Sequence, residues 1–191
     1  MLALLFCAIV SFASFERECG DIRNNVLRLH ILANSDTAED QSLKLAVRDA
    51  ILEASQDIFS GCGSIDEARA AARERLDAIR EQAIEVIRAL GYDYDVTVEL
   101  SETYFSTREY DDITLPAGIY EAVQVRIGEA EGHNWWCVMF PMMCLPGSSE
   151  SDSLSDVLSS GQMDIVQADG YEVRLRCVEL YEQLCEYMRA E

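Results

Sequence analysis

The sequence predicts an α+β fold: a single domain in which an antiparallel sheet has two long helices and a C-terminal helix packed on it. Three observations predict it. Apolar residues recur with a period near two in Asn24–Ala33, Tyr94–Phe105, Tyr120–Ile127 and Trp135–Phe140. They recur at helical spacing from Leu43 to Ile58 and from Ala68 to Leu90. The chain has 191 residues and is 49% hydrophobic, enough for one well-packed core, with a second domain cramped.

Taken in order, Met1 to Phe15 carries no charge. Its apolar run, Leu2 to Val10, is shorter than the roughly 20 residues of a bilayer-crossing helix. It fits the apolar core of a secretory signal, with Ser11-Phe12-Ala13 as a small-x-small cleavage pattern. A positive n-region is missing, so residues 1–15 are expected to be a signal peptide or N-terminal membrane anchor, incomplete at its start. A core helix fits this run less well because the run has no polar face. The domain itself is expected over residues 24–191.

In the first strand Leu27, Leu29 and Ile31 form an apolar face, with Arg28 and His30 on the polar one. Asn34-Ser35-Asp36 ends the strand, and Asp36 with Glu39 has capping-box spacing for the first long helix. Leu43, Val47, Ala50, Ile51, Ala54 and Ile58 make its stripe, and Gly61-Cys62-Gly63 ends it. Ser64 and Glu67 form a second capping box, and Gly91 closes the second long helix. The mixed charges from Arg69 to Glu81 read as its solvated face, since they form no basic patch.

After the strand ending near Phe105, Ser106 to Pro116 reads as a polar connecting loop. Tyr120–Ile127 and Trp135–Phe140 read as an antiparallel hairpin joined by a turn at Gly128–Gly132. Residues 146–169, rich in serine and acids, read as a flexible insertion. Tyr171–Arg176 alternates like a short strand, and Val178 to Met188 looks helical.

Acidic residues outnumber basic ones 35 to 15, a net charge of −20. That charge repels phosphate backbones and anionic headgroups, so no nucleic-acid partner is expected. Of seven cysteines, six follow the N-terminal segment, an even number compatible with disulfides outside the cytoplasm. Cys137 and Cys144 are placed to close a short loop around Pro141, and buried free thiols are the competing reading. Cys177 and Cys185 lie about 12 Å apart along a continuous helix, beyond the roughly 7 Å that a disulfide spans.

Catalytic constellations are thin. His133 and Cys137 on one extended strand sit roughly 13 Å apart, whereas a thiol and its base need about 3 Å. His30 approaching Cys137 from a neighbouring strand is the other arrangement that would serve a nucleophile. His133, Cys137 and Cys144 have ligand chemistry but no familiar metal-site spacing. No catalytic residue, metal site or cofactor is therefore expected. Arg28, Lys44 and Arg48 stand out as scarce cations, either paired with Asp36, Glu39 and Asp49 or forming a small positive island.

The most unusual stretch is Gly132-His133-Asn134-Trp135-Trp136-Cys137, with both tryptophans and one of the two histidines. Adjacent strand residues point to opposite faces, so the two indoles enter different environments. With Leu27-Arg28-Leu29-His30-Ile31-Leu32-Ala33-Asn34-Ser35-Asp36 and the following Glu39 to Asp49, this stretch resembles the stage II sporulation protein R family, from about Asn24 onward. One departure is visible: Phe140-Pro141-Met142-Met143-Cys144 stands where the family typically has Phe-Pro-Pro-Leu-Cys.

The resemblance implies a protein made in the forespore and exported to the intermembrane space. There it would activate a membrane-embedded aspartic-type protease of the mother cell that processes pro-sigma-E. The expected partner-binding residues are Asn34, Ser35, Asp36, His133, Asn134, Trp135 and Trp136. A cell-envelope hydrolase using Cys137 or a carboxylate is the rival reading.

Overall fold

The structure, a computed structural model, describes residues 2–110, 113–142, 154–155, 157–167 and 172–189, with side chains described from Phe6 onward and, in the last segment, from Leu175. It is α+β, as expected. The helices are α1 (Leu2–Asn24), α2 (Ala38–Phe59), α3 (Ile65–Ala89), α4 (Ser160–Gln167) and α5 (Glu172–Arg189). The strands are β1 (Leu27–Leu32), β2 (Val96–Phe105), β3 (Arg108–Tyr110), β4 (Ile113–Leu115), β5 (Gly118–Ile127) and β6 (Asn134–Phe140). The chain divides into two compact units, one of residues 26–102 and 121–148, the other of residues 1–25, 103–120 and 149–191.

The main sheet has the order β2-β5-β1-β6. It is mixed rather than antiparallel, because β1 runs parallel to β5 and antiparallel to β6. The expected β5–β6 hairpin does not form. β1 lies between the two strands, so the connection from Gly128 to His133 must cross over the end of β1. A strand flanked on both sides is readily buried on both faces, and β1 is: Arg28 is fully buried and His30 is 4% exposed. The polar face expected for His30 is thus interior.

Thr37 caps α2, its hydroxyl accepting from the Asp40 N–H; Asp36 was the expected cap but is engaged elsewhere. Leu43, Val47 and Ile51 are buried as the stripe predicts, and Leu52, Ser55 and Phe59 complete the buried face. Ser64 caps α3 by accepting from the Glu67 N–H, and the Glu67 carboxylate accepts from the Gly63 N–H. Gly91, at φ 85°, follows the α3 C-cap Leu90.

In the other unit, Phe15, Cys19 and Ile22 of α1 are buried. Arg23 is the organising residue: it donates to the Ala117 carbonyl at 2.9 Å and pairs with Glu16 at 2.5 Å and Glu182 at 3.2 Å. Phe12 meets Tyr181 of α5 edge to face, with centroids 5.9 Å apart. Burial pushes the Cys19 thiol up to about 12 and raises the Glu182 carboxyl, although Arg23 opposes both. No helix among the described residues is long and apolar enough to cross a membrane.

Three local expectations are corrected here. The segment expected as a loop, 106–116, contains the antiparallel β3–β4 pair, because its apolar Ile113 and Leu115 alternate and are buried. Within the expected flexible insertion, Ser160–Gln167 is helical. Ser159 accepts from the Gln162 N–H and the Gln162 amide oxygen accepts from the Ser159 N–H, a reciprocal cap, while Ile165 and Val166 are buried. The expected strand at Tyr171–Arg176 belongs to α5 from Glu172 onward, with Leu175 and Val178 buried three positions apart.

Candidate functional site: a turn and a crossing loop

The two sequence stretches singled out above meet. Because the β5–β6 connection crosses the end of β1, its backbone lies against the Asn34–Asp36 turn. Gly132 N–H donates to the Ala33 carbonyl at 3.0 Å, and Glu131 N–H donates to the Asn34 carbonyl at 3.2 Å. The approach is close enough that a Cβ on Gly132 would overlap the Ser35 carbonyl oxygen. At Gly128, with φ 57°, a Cβ would overlap the Asn34 side chain.

Side chains complete the junction. The Asp36 carboxylate accepts from the His133 backbone N–H and lies 2.5 Å from His133 Nδ1. This contact with His133 holds the Asp36 carboxyl below its ordinary range. Asn34 donates to the Asp40 carboxylate at 2.8 Å and accepts from the Glu129 N–H at 3.1 Å. Ser35 donates to the same Asp40 carboxylate at 2.6 Å. Burial raises the Asp40 carboxyl, but hydrogen bonds from Ser35, Asn34, Tyr94 and Thr37 outweigh it and leave it lowered.

Lys44, 4% exposed, reaches the junction from α2. Its ammonium donates to the His133 carbonyl at 2.8 Å and to Gln41 Oε1 at 2.6 Å. Burial lowers its pKa, against the attraction of Asp36. Gln41 in turn donates to the Ser35 carbonyl at 2.9 Å.

The two tryptophans diverge as their adjacency requires. Trp135 pairs in register with Ile31, and the Arg48 guanidinium lies 4.3 Å from its ring centroid. Arg48 also pairs with Asp49 at 2.6 Å, so the expected acid pairing holds for it. Trp136 stacks on His30 on the opposite face. His30 also meets Gln124 at 3.1 Å, and desolvation lowers its pKa to about 4, so the ring is neutral near neutral pH.

Thus all seven predicted residues lie in one region, but in two layers. Asp36, His133 and Asn134 are exposed, whereas Asn34, Ser35, Trp135 and Trp136 are half-buried and support them. Sequence reasoning placed Gly132 in the contact loop but missed Asp40, Gln41 and Gly128 as parts of the junction. Gly128 carried a signal, since it opens the crossing loop; the carboxylate of Asp40 carried none.

The arrangements that would serve a thiol nucleophile are not brought together. Cys137 pairs with Leu29 and therefore shares the Leu29 face, opposite His30. It is fully buried and disulfide-bonded. Its expected partner, Cys144, lies outside the described residues. Cys7, Cys19, Cys62, Cys177 and Cys185 are free. Among the described residues no group of three or more His, Cys, Asp or Glu side chains is placed to hold a metal ion.

The model of the family described as stage II sporulation protein R matches residues 23–150, a span containing β1, the turn, the crossing loop and β6. The chain belongs to the stage II sporulation protein R family. It is 36% identical over 135 residues to the stage II sporulation protein R of Bacillus subtilis (strain 168). The alignment covers 71% of this chain and 60% of that relative, so the chain spans well under the relative's full length. No solved structure matches. Both halves of the junction, with Lys44 and Asp40, fall inside the span that defines family membership.

Proposed function

We propose that this chain is an exported sporulation signal that activates a membrane-embedded aspartic-type protease of the mother cell and so triggers processing of pro-sigma-E. In this reading it is made in the forespore, leaves through the apolar N-terminal segment and acts in the intermembrane space. Family membership supports the sporulation role, and the turn–loop junction supports action by binding. The observation that carries the reading is the contact of Asp36 with His133, 97 residues apart, on a framework of part-buried hydrogen bonds. That construction holds exposed polar groups in one geometry, which is what a recognition surface needs.

A ligand activates a receptor only by binding its active state more tightly than its inactive one. Asp36, His133 and Asn134 are the exposed groups that would make that distinction, with Asn34, Ser35, Trp135 and Trp136 positioning them. The test is co-expression with the protease and pro-sigma-E in a non-sporulating host, with substrate cleavage read on a blot. Cleavage that requires this chain and is lost in folded Asp36→Ala/His133→Ala/Asn134→Ala protein supports the reading. Undiminished cleavage by that triple variant removes the surface, and no cleavage by exported, folded wild type removes the function.

A further inference from the structure

Beside the junction, the same unit carries a groove of about 530 Å³ between the start of α2 and the segment after α3. Buried Leu43 forms its floor. Ala38, Ser42 and Ala46, four residues apart on α2, form one wall, and Leu90 and Tyr92 the other. Leu90 is 53% exposed, a large apolar side chain left in water at a helix end. Three small side chains on one wall let another backbone approach closely.

The opposite wall is tied to the junction. Tyr92 stacks on Tyr94 with centroids 5.7 Å apart, and Tyr94 shares a hydrogen bond with the Asp40 carboxylate. That carboxylate also holds Asn34 and Ser35. Groove and turn therefore rest on one network.

The one charged residue that lines the groove is acidic, Glu39, and Asp93, next in sequence to the lining Tyr92, is exposed. Between Ala38 and Ala46 the one basic residue is Lys44, buried with its ammonium committed to Gln41 and His133. An apolar slot whose only charged lining residue is a glutamate favours an apolar anchor flanked by positive charge. A second copy of this chain, at net charge −20, is repelled.

We propose that this groove receives an aliphatic or aromatic side chain from a segment of the membrane protease in which Lys or Arg flanks that anchor. The proposal rests on the activation reading above and adds the chemistry of the docking segment.

Ser42→Trp, on the exposed side of α2, fills the groove, and Leu90→Gln removes its apolar wall without filling it. Burying one such anchor is worth roughly tenfold or more in affinity. Each variant, with unchanged thermal stability, is expected to need at least about tenfold more protein for equal pro-sigma-E cleavage in the co-expression assay. Glu39→Lys/Asp93→Lys is expected to weaken it in the same direction. Wild-type activity from both Ser42→Trp and Leu90→Gln would overturn the proposal.

A photo-cross-linking residue at position 42 of the otherwise wild-type chain, mixed with membranes containing the protease, separates this inference from the functional one. A cross-link to a Lys/Arg-flanked segment of the protease supports the groove even if cleavage fails for another reason. A cross-link only to a second copy, or none to the protease, overturns it even if cleavage proceeds.

Discussion

His30 and Trp136 lie face to face, with ring centroids 3.8 Å apart and planes only 9° from parallel. They are register partners across β1 and β6, so the stack follows from strand pairing. It places an ionisable ring in a site where its charge is penalised, and that gives the fold a dependence on pH.

The His30 pKa falls from 6.5 to about 4 through burial. Between those values the unfolded chain binds a proton that the folded chain refuses, so the contribution of His30 to stability falls as pH drops from 6.5 toward 4 and is constant above 6.5. His30→Gln is expected to flatten this part of the profile, the difference between variant and wild type changing by on the order of 2 kcal/mol between pH 7 and pH 4.5. Urea unfolding at the two pH values checks it, and parallel curves would contradict it.

The Asp36 carboxyl is expected to titrate below its ordinary 3.8 in the wild type and to move back toward it in His133→Ala. Because the folded value is the lower one, the stabilisation is present above 3.8 and is lost as pH falls below it. Carbonyl-carbon NMR of Asp36 against pH reads this directly.

Gly132→Ala should cost about 1–3 kcal/mol, because the added methyl meets the Ser35 carbonyl and the loop must lift away from β1. Thermal melting measures the loss. The same variant should show faster amide exchange at Gly132 and Glu131 positions, whose N–H groups bond to Ala33 and Asn34.

Lys44→Met keeps the apolar stem but removes the donor to the His133 carbonyl. A stability cost of about 1–3 kcal/mol is expected and, on the proposed reading, a larger proportional loss of pro-sigma-E cleavage, since the loop would lose a tie to α2. Comparing denaturation midpoint with pro-sigma-E cleavage separates the two effects.

Arg23→Met should destabilise the other unit by about 3–5 kcal/mol, because Glu16 and Glu182 would face each other without their shared cation. Hydrogen exchange is expected to rise in α1 and α5 together. Exchange confined to α1 would contradict this account.

Much of this was legible in the sequence because it is local. The stripe Leu43-Val47-Ile51, the Ser64 cap and the Gly91 stop are written within one or two turns, and the structure follows them. Asn34–Asp36 and His133–Trp136 stood out by composition. Their meeting was not legible, since it depends on β1 pairing in parallel with a strand about ninety residues later, which no local pattern encodes. The hairpin expected from adjacent β5 and β6 was the local solution, displaced by a non-local one. The Ser159–Gln162 cap was present in the sequence but obscured by the serines around it.

The crossing of the β5–β6 connection over β1 also sets an order of events during synthesis. β1 emerges early, yet its two neighbours and the loop over its end arrive only with residues 118–140. Until then the Asn34–Asp36 turn has no partner, and non-local pairing of this kind closes late. A chain still being synthesised, or one cut before Gly132, therefore carries the turn without the loop that fixes its geometry. On the proposed reading, signalling competence is then a property of the finished molecule alone, so a partly delivered message is silent.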